Sequence, residues 1–161
     1  MKVIFLDFDG VLNSQEYIES RLDEFKGKKV GLDIRAVRRL NSLVMHSGAE
    51  IVVSSTWRQR RTRQDLNQVL RDAGFYGEIL GMTPTNVNRL PDGSFSSERR
   101  GQEIQAWLDA APRYGIDVDS FVIIDDDSDM AHLKHRLIQT TYATGLLDVH
   151  VTQACNMLAS T

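Results

Sequence analysis

The chain contains 161 residues, of which 42% are hydrophobic and 25% are charged, and its formal net charge is -3. This length and balance predict a single folded domain over residues 1–161, and they exclude a disordered chain and a broadly basic surface that binds nucleic acid by charge alone. The one cysteine, Cys155, excludes an intrachain disulfide and a cysteine-built metal site, and we expect it to be a small buried side chain.

Membrane and export signals are absent from the sequence pattern. No apolar run approaches the ~20 residues that a membrane-spanning helix requires. The chain opens directly into a strand-like segment, without the charged and apolar regions of a secretory signal. We therefore expect a soluble, cytoplasmic protein that makes no membrane contact.

The first predicted element is a strand over residues 3–6 that leads into Asp7, Phe8, Asp9 and Gly10. Because side chains alternate along a strand, Asp7 and Asp9 are expected on one side and Phe8 on the other. Two carboxylates this close repel each other unless a cation lies between them, which favours a hard metal such as Mg²⁺. The alternative is a surface turn after an edge strand, since Asp and Gly are common in turns.

Strand-like runs then alternate with amphipathic stretches at helical spacing, which is typical of an α/β domain with a parallel sheet. Right-handed crossovers predict a doubly wound three-layer sandwich with about five strands. In chain order the predicted elements are a helix between Asp33 and Gly48, a strand at 50–53, a helix stopped by Gly74, a strand at 78–82, an irregular stretch at 83–97 with a turn at 91–94, a helix from Arg100 to Pro112, a strand beginning at Phe121, a strand within 137–142 and a helix at 152–158.

A second acidic cluster ends the strand that begins at Phe121. Asp125, Asp126 and Asp127 follow its apolar residues directly. Because the carboxyl ends of parallel strands meet at one edge of the sheet, this cluster and the first one are expected to face the same crevice. The pair of clusters favours a metal-assisted carboxylate site over an isolated turn.

Four short motifs in this order resemble those of phosphatases of the haloacid dehalogenase (HAD) superfamily. They are Asp7-Phe8-Asp9-Gly10-Val11, then Ser54-Ser55, then Arg100 with the following Gly101-Gln102-Glu103-Ile104, and finally Asp125-Asp126. The resemblance spans nearly the whole chain and implies a HAD-like Rossmannoid fold. The strings around the motifs are most similar to the HAD domains of the Swiss Army Knife RNA-repair group.

The resemblance implies a role for each motif residue in the hydrolysis of phosphate monoesters. Asp7 would be the nucleophile that forms an aspartyl-phosphate, and Asp9 would be the general acid and base. Ser55 would bind a phosphoryl oxygen, and Arg100 would offset the charge of Asp7 and the phosphoryl group. The implied Mg²⁺ ligands are the carboxylate of Asp7, the backbone carbonyl of Asp9 and the carboxylate of Asp126, with Asp125 orienting the metal's waters.

Two of these positions have a neighbouring alternative. Ser54 takes the role of Ser55 if the strand register slips by one residue, and a serine pair after a strand is also a common helix N-cap. Arg99 is the alternative to Arg100, which would then be a solvated residue of the first helical turn.

The segment 58–63 contains four arginines and has two interpretations. It guides a polyanionic substrate toward the crevice, or it is a solvated charged face, and we favour the solvated face. The adjacent Trp57 either stacks a base at the rim of the site or packs beneath the loop. None of the four histidines has a zinc-ligand context.

Substrate choice in the resembled superfamily depends on cap insertions, and the stretches 13–31 and 83–97 are too short to form a folded cap domain. A minimal or absent cap implies an open crevice, which fits a phosphorylated small molecule or a nucleic-acid end as partner; no protein partner is identifiable. The leading hypothesis is a Mg²⁺-dependent phosphatase for nucleotide or nucleic-acid terminal phosphates. The alternatives are a small-metabolite or phosphoprotein phosphatase, and a phosphate-binding interaction module with vestigial activity.

Overall fold

A five-stranded parallel sheet forms the centre of the molecule. The computed structural model describes residues 1–24, 31–85, 90–94 and 97–160. The strands lie in the spatial order β3-β2-β1-β4-β5, so the first strand occupies the middle. They are β1 (Lys2–Leu6), β2 (Glu50–Val53), β3 (Ile79–Met82), β4 (Ser120–Asp125) and β5 (Leu137–Gln139).

Helices cover both faces of this sheet. They are α1 (Gln15–Ser20), α2 (Ile34–Ser47), α3 (Arg63–Asp72), α4 (Arg99–Ala110) and α5 (Asp148–Ala159), with 3-10 turns at Thr56–Gln59, Ala111–Tyr114 and Ala131–Arg136. Strands separated by helices and running parallel confirm the predicted α/β fold.

The alternation of side chains along β1 divides the core into two layers. Val3 and Phe5 are fully buried in a cluster that includes Ile104 of α4. Ile4 and Leu6 are fully buried on the opposite face, in a larger cluster built with α2, α3 and α5. An amphipathic helix stabilises the fold by burying its apolar stripe against such a face, so the molecule is a three-layer sandwich, as predicted.

The strand register places three strand ends at the same edge of the sheet. Leu6 at the end of β1 lies opposite Val53 of β2 and Ile124 of β4. The amide of Asp7 then donates to the Ile124 carbonyl at 3.0 Å. The residues that follow β1, β2 and β4 therefore emerge together, as expected for the carboxyl edge of a parallel sheet.

The boundaries of α2 are those that the sequence predicts. The Asp33 carboxylate accepts a hydrogen bond from the Arg35 amide at 2.9 Å, which satisfies a donor of the first turn. Gly48 ends the helix in the left-handed conformation, with a φ of 66°.

Two predictions near the C-terminus are wrong in detail. The last helix begins at Asp148, four residues before the predicted 152, because its first turn is exposed and apolar spacing marks only the buried part of a helix. Cys155 is half-buried rather than buried, and it packs at the margin of the larger core cluster.

The stretches 13–31 and 83–97 contain little regular structure where they are described. Helix α1, which was not predicted, is the only helix in their described parts, and its N-cap is Ser14, whose hydroxyl accepts from the Tyr17 amide. The predicted turn at 91–94 is confirmed by the hydrogen bond from the Gly93 amide to the Leu90 carbonyl at 2.8 Å. The remainder of these predictions, at 25–30, 86–89 and 95–96, lies outside the described residues.

Across the described segments, no helix combines the length and the apolar character needed to cross a bilayer.

The first turn of α4 is docked closely on the loop that follows β4. The Gly101 amide donates to the Asp129 carbonyl at 3.0 Å. A Cβ added at Gly101 would lie 2.2 Å from the backbone oxygen of Met130, a collision that no rotamer change relieves. The absence of a side chain at Gly101 thus permits the contact that fixes the position of α4.

Gly101→Ala tests this contact, because the contact reverses the expected sign of the change in the free energy of unfolding. In an exposed helix interior, Gly→Ala stabilises by ~0.5–1 kcal/mol because the unfolded chain loses freedom. Here we expect the opposite, a fall in the free energy of unfolding of ~1–3 kcal/mol, because the methyl group forces α4 away from the loop. Urea denaturation of the two proteins measures the change, and a stabilised variant would contradict the close contact.

Candidate active site

Three carboxylates converge at the carboxyl edge of the sheet. Asp7 follows β1, Asp125 is the last residue of β4, and Asp126 follows it. One carboxylate oxygen from each lies within 4.8 Å of the other two. Asp7 and Asp125 are buried, with exposed fractions of 4% and 0%, while Asp126 is half-buried. The convergence that the two acidic motifs predict is therefore present.

Burial and mutual repulsion shift the protonation of this cluster. Burial raises the pKa of Asp125 to about 8 and that of Asp126 to about 6, with the charge of Asp7 adding to both shifts. Burial also raises the pKa of Asp7, although Arg100 and a hydrogen bond from Ser55 act in the opposite direction. The three groups do not readily ionise together without a compensating cation.

The donor set of the cluster fits a hard divalent cation such as Mg²⁺. All three side chains offer carboxylate oxygens, which are the ligands that Mg²⁺ prefers. The buried Oδ2 of Asp125 accepts no hydrogen bond from the described residues and has only the ionic contact with Arg100, so it retains acceptor capacity for a cation or its waters. In the described ranges, this is the one group of His, Cys, Asp or Glu side chains with metal-ligand spacing. It contains no histidine.

Gly10 makes room for Asp126. Its φ of 74° lies in the left-handed region, which a glycine adopts without steric cost. A Cβ at Gly10 would lie 2.4 Å from the Asp126 carboxyl carbon. The loop after β1 can therefore approach the β4 carboxylates only because this position lacks a side chain.

Arg100 reaches the cluster from the first turn of α4. Its Nη1 lies 3.6 Å from Asp7 Oδ1 and its Nε lies 3.3 Å from Asp125 Oδ2. Its Nη1 also donates to the Ser54 carbonyl. Burial lowers the pKa of Arg100, but Asp125 and Asp7 outweigh this effect and the pKa is raised overall. The guanidinium is thus a fixed positive charge beside Asp7.

The neighbouring Arg99 lies elsewhere. Its Nε donates to Glu103 at 3.1 Å, one helical turn further along α4. Among the salt bridges between described residues, those to the carboxylate cluster come from Arg100 and not from Arg99.

The two serines after β2 also take different positions. The Ser55 hydroxyl accepts from the Trp57 amide at 3.3 Å, and it lies near enough to Asp7 to oppose the burial that raises the pKa of that carboxyl. The Ser54 hydroxyl is fully buried and has no hydrogen-bond partner among the described residues. Ser55 is therefore the serine that shares the crevice with Asp7.

Asp9 does not join the carboxylate cluster. Its side chain is exposed, with Oδ1 accepting from Asn13 Nδ2 and Oδ2 accepting from Trp57 Nε1, both at 2.8 Å. Asp9 lies three residues beyond the end of β1 at Leu6, so the direction of its side chain is set by these two hydrogen bonds and not by strand alternation. The carboxylate of Asp9 is held instead at the rim of the crevice.

Trp57 is held in place by several partners at this rim. Besides its bond to Asp9, its ring packs edge-on against Phe8, with 5.3 Å between ring centroids. The Arg61 guanidinium carbon lies over the ring, 4.5 Å from its centroid. The half-buried indole thus packs against the loop after β1, which is one of the two alternatives for Trp57, and it also lies at the rim of the site.

The basic segment 58–63 is not a uniform solvated face, and that prediction is wrong for Arg58. The side chain of Arg58 is only 2% exposed, and its guanidinium forms a salt bridge with the equally buried Glu103 of α4. Burial lowers the pKa of Arg58, whereas Glu103 opposes that shift. Arg60 and Arg63 are exposed, as expected.

The Arg58 guanidinium also holds the backbone around the crevice. It donates to the carbonyls of Ser54 at 2.5 Å, Ser55 at 2.7 Å, Thr83 at 2.9 Å and Pro84 at 3.2 Å. Through these bonds and Glu103, one side chain links the ends of β2 and β3 to α4. The sequence pattern does not predict this pair, although Glu103 falls on the same helical stripe as Arg100 and Ile104.

Comparison with known proteins identifies one related family. A family model described as "HAD domain in Swiss Army Knife RNA repair proteins" matches residues 3–151. No curated protein and no solved structure gives a match to the chain. The matched range contains every residue of the crevice described above.

The buried pair Arg58–Glu103 is tested by a double-mutant cycle. Removing one partner leaves the other charge buried and unpaired, so Arg58→Met and Glu103→Met should each lower the free energy of unfolding by ~3–5 kcal/mol. The double variant should lose less than the sum of the two, and the exposed control Arg60→Met should change stability by less than ~0.5 kcal/mol. Urea denaturation measures all four, and additive losses would contradict the pair.

The carboxylate cluster predicts a pH-dependent effect of Mg²⁺ on stability. Because the folded-state pKa values of Asp7, Asp125 and Asp126 are raised, the folded state holds protons that the unfolded chain has released. Their contribution to stability therefore falls as pH rises above ~4 and levels off above about 8. Bound Mg²⁺ replaces these protons, so saturating Mg²⁺ should raise Tm by roughly 5–10 °C at pH 8.5.

The same addition of Mg²⁺ at pH 5.5 should raise Tm by clearly less, because protons then compete with the metal for Asp125 and Asp126. Thermal melts with and without Mg²⁺ at both pH values measure the difference. An equal rise at the two pH values would contradict a metal site built from these carboxylates, and Asp126→Asn provides the variant in which the pH-dependent part should shrink.

Proposed function

The chain belongs to the family of HAD domains of Swiss Army Knife RNA repair proteins, and on this basis we propose that it is a Mg²⁺-dependent phosphatase for nucleotide or nucleic-acid terminal phosphates. Family membership supports a phosphatase-type hydrolase. The metal dependence, the covalent intermediate and the substrate are the further parts of the proposal. The observation that carries it is the position of the Asp7 carboxylate, which lies between Arg100, Ser55 and the carboxylates of β4.

In the first step, a carboxylate oxygen of Asp7 attacks the phosphorus atom and the bond from phosphorus to the ester oxygen breaks. The product on the protein is an aspartyl-phosphate, an acyl phosphate that is more reactive than the ester. The Arg100 guanidinium, 3.6 Å from Asp7, offsets the negative charge that the phosphoryl oxygens bring to the site. The Ser55 hydroxyl, which lies beside Asp7, donates to one of those oxygens.

Asp9 acts as the general acid in the first step and as the general base in the second. In its protonated form it gives the proton to the leaving ester oxygen, and its carboxylate then accepts a proton from the water that attacks the aspartyl-phosphate. The second attack breaks the bond between phosphorus and the Asp7 oxygen, which releases inorganic phosphate and restores the Asp7 carboxylate and the protonated form of Asp9. The bonds from Asn13 and Trp57 keep Asp9 at the rim, where a leaving group departs.

Asp7 and Asp126 would hold Mg²⁺ together with the Asp9 backbone carbonyl, and Asp125 would orient its waters. When bound, the ion would neutralise the repulsion between the carboxylates and the phosphate and would polarise a phosphoryl oxygen. The lack of a folded cap in the described parts of 13–31 and 83–97 supports access by a polymer end as well as by a small ester.

The mechanism predicts that variants of Asp7 and Asp9 differ in whether the aspartyl-phosphate forms. Asp7→Asn should release no phosphate above background from an aryl phosphate, because no aspartyl-phosphate can form. Asp9→Asn should lower kcat by ~10²- to 10⁴-fold. Since an aryl leaving group needs little protonation, this variant should still form the intermediate and then fail to hydrolyse it.

Intact mass after acid quenching should therefore show one added phosphoryl group on Asp9→Asn and none on Asp7→Asn. The exposed Arg60→Ala is the matched control and should retain the wild-type rate. Activity that survives in Asp7→Asn would refute the nucleophile. A panel of 3′- and 5′-phosphorylated oligonucleotides, mononucleotides, sugar phosphates and phosphopeptides then tests the substrate, and the highest kcat/KM for sugar phosphates or phosphopeptides would refute the nucleotide preference.

A further inference from the structure

A groove of about 830 Å³ adjoins the candidate active site. It lies between α1, the start of α2, the 3-10 turn after β2 and α3, and its described lining includes Tyr17, Trp57, Arg61 and Val69. Its volume falls within the ~300–1,000 Å³ typical of small-molecule sites. None of the motif residues assigned to the reaction lines it.

The groove begins where the leaving group departs. Trp57, which lines the groove, donates its indole N–H to Asp9 at 2.8 Å. In the proposed reaction Asp9 protonates the leaving oxygen, so the alcohol part of the substrate must lie next to this carboxylate. The groove is therefore positioned to hold the part of the substrate that remains after phosphate is removed.

A planar cationic surface faces this part of the groove. The Arg61 guanidinium covers the Trp57 ring at 4.5 Å, and Phe8 supports the ring through an edge-on contact. Arg61 forms no salt bridge with any described residue, and Asp65, the carboxylate that senses its charge, is hydrogen-bonded to Thr62. A guanidinium plane of this kind stacks on nucleobases, and the aromatic ring beneath it limits its freedom.

The charges of the groove favour a neutral ligand. Three arginines and four carboxylates line it. Two of the arginines are already paired, Arg21 with Glu24 at 2.8 Å and Arg35 with Asp33 at 3.1 Å. A continuing polyanionic backbone would meet these carboxylates without a surplus of positive charge, whereas a nucleoside brings no charge.

We infer that this groove binds the nucleoside part of a substrate nucleotide, with its base stacked on the Arg61 guanidinium that Trp57 supports. This inference rests on the proposed phosphatase function and deepens it, because it names the group beyond the phosphate. The inference also gives the orientation of a nucleic-acid substrate. The nucleoside that loses the phosphate enters the groove, and any further strand leaves toward solvent.

A matched pair of substrates tests the inference. Adenosine 5′-monophosphate and ribose 5-phosphate present the same ester, and only the first carries a base. We expect the wild-type ratio of their kcat/KM values to favour the nucleotide, and this ratio should fall about tenfold in Arg61→Lys, which keeps the charge and loses the plane. The exposed neighbour Arg60→Lys, which does not line the groove, should keep the wild-type ratio. Equal values for the two substrates, or an unchanged ratio in Arg61→Lys, would overturn the inference.

Binding without turnover separates this inference from the catalytic proposal. Adenosine has no phosphate, and its addition should shift the indole N–H resonance of Trp57 in a ¹⁵N-edited spectrum, with Trp107 as the internal reference and Trp57→Phe for assignment. Ribose should cause no such shift, and Arg61→Lys should abolish the adenosine effect. A Trp57 shift in a protein that releases no phosphate would support the groove and refute the phosphatase. Phosphate release without any adenosine shift would refute the groove alone.

Discussion

Electrostatic repulsion among three carboxylates is the constraint on which this structure depends. The parallel pairing of β1 with β4 brings Asp7 and Asp125 to one edge, and Asp126 joins them. Burial makes their charges costly, which raises the pKa of Asp125 to about 8. The fold tolerates this arrangement because Arg100 supplies one buried positive charge, and because a divalent cation can supply the remaining positive charge that three carboxylates require.

The second requirement is that Arg100 and Ser55 stay in place beside this charged cluster. They lie on different elements, α4 and the turn after β2, and the Arg58–Glu103 pair connects the two. A buried ion pair adds little net stability, because desolvation opposes its attraction. Its contribution is geometric, since the Arg58 guanidinium binds carbonyl oxygens of four residues as well as Glu103.

The sequence predicts the sheet and the central cluster well because both follow from periodicity. Apolar runs that end in Asp7 and Asp125 are enough to bring the carboxylates together once the strands are parallel. The burial of Arg58 could not be predicted in the same way, because its partner lies 45 residues away in the sequence and four arginines in one short run look alike. The hydrogen bonds that Asn13 and Trp57 donate to Asp9 could not be predicted either, because the two-residue alternation ends with the strand. Helix α1 and the first turn of α5 are largely exposed, so no apolar stripe marked them.

The division of β1 between two core layers restricts how the length of this chain can change. Odd-numbered side chains of β1 face α4, whereas even-numbered ones face α2 and α5. A deletion of one residue within β1 would exchange these parities and would shift the residues that follow β1 out of register with the ends of β2 and β4. Among related sequences, insertions and deletions should therefore accumulate in the connections 13–31 and 83–97, where a change of length leaves the register of β1 intact.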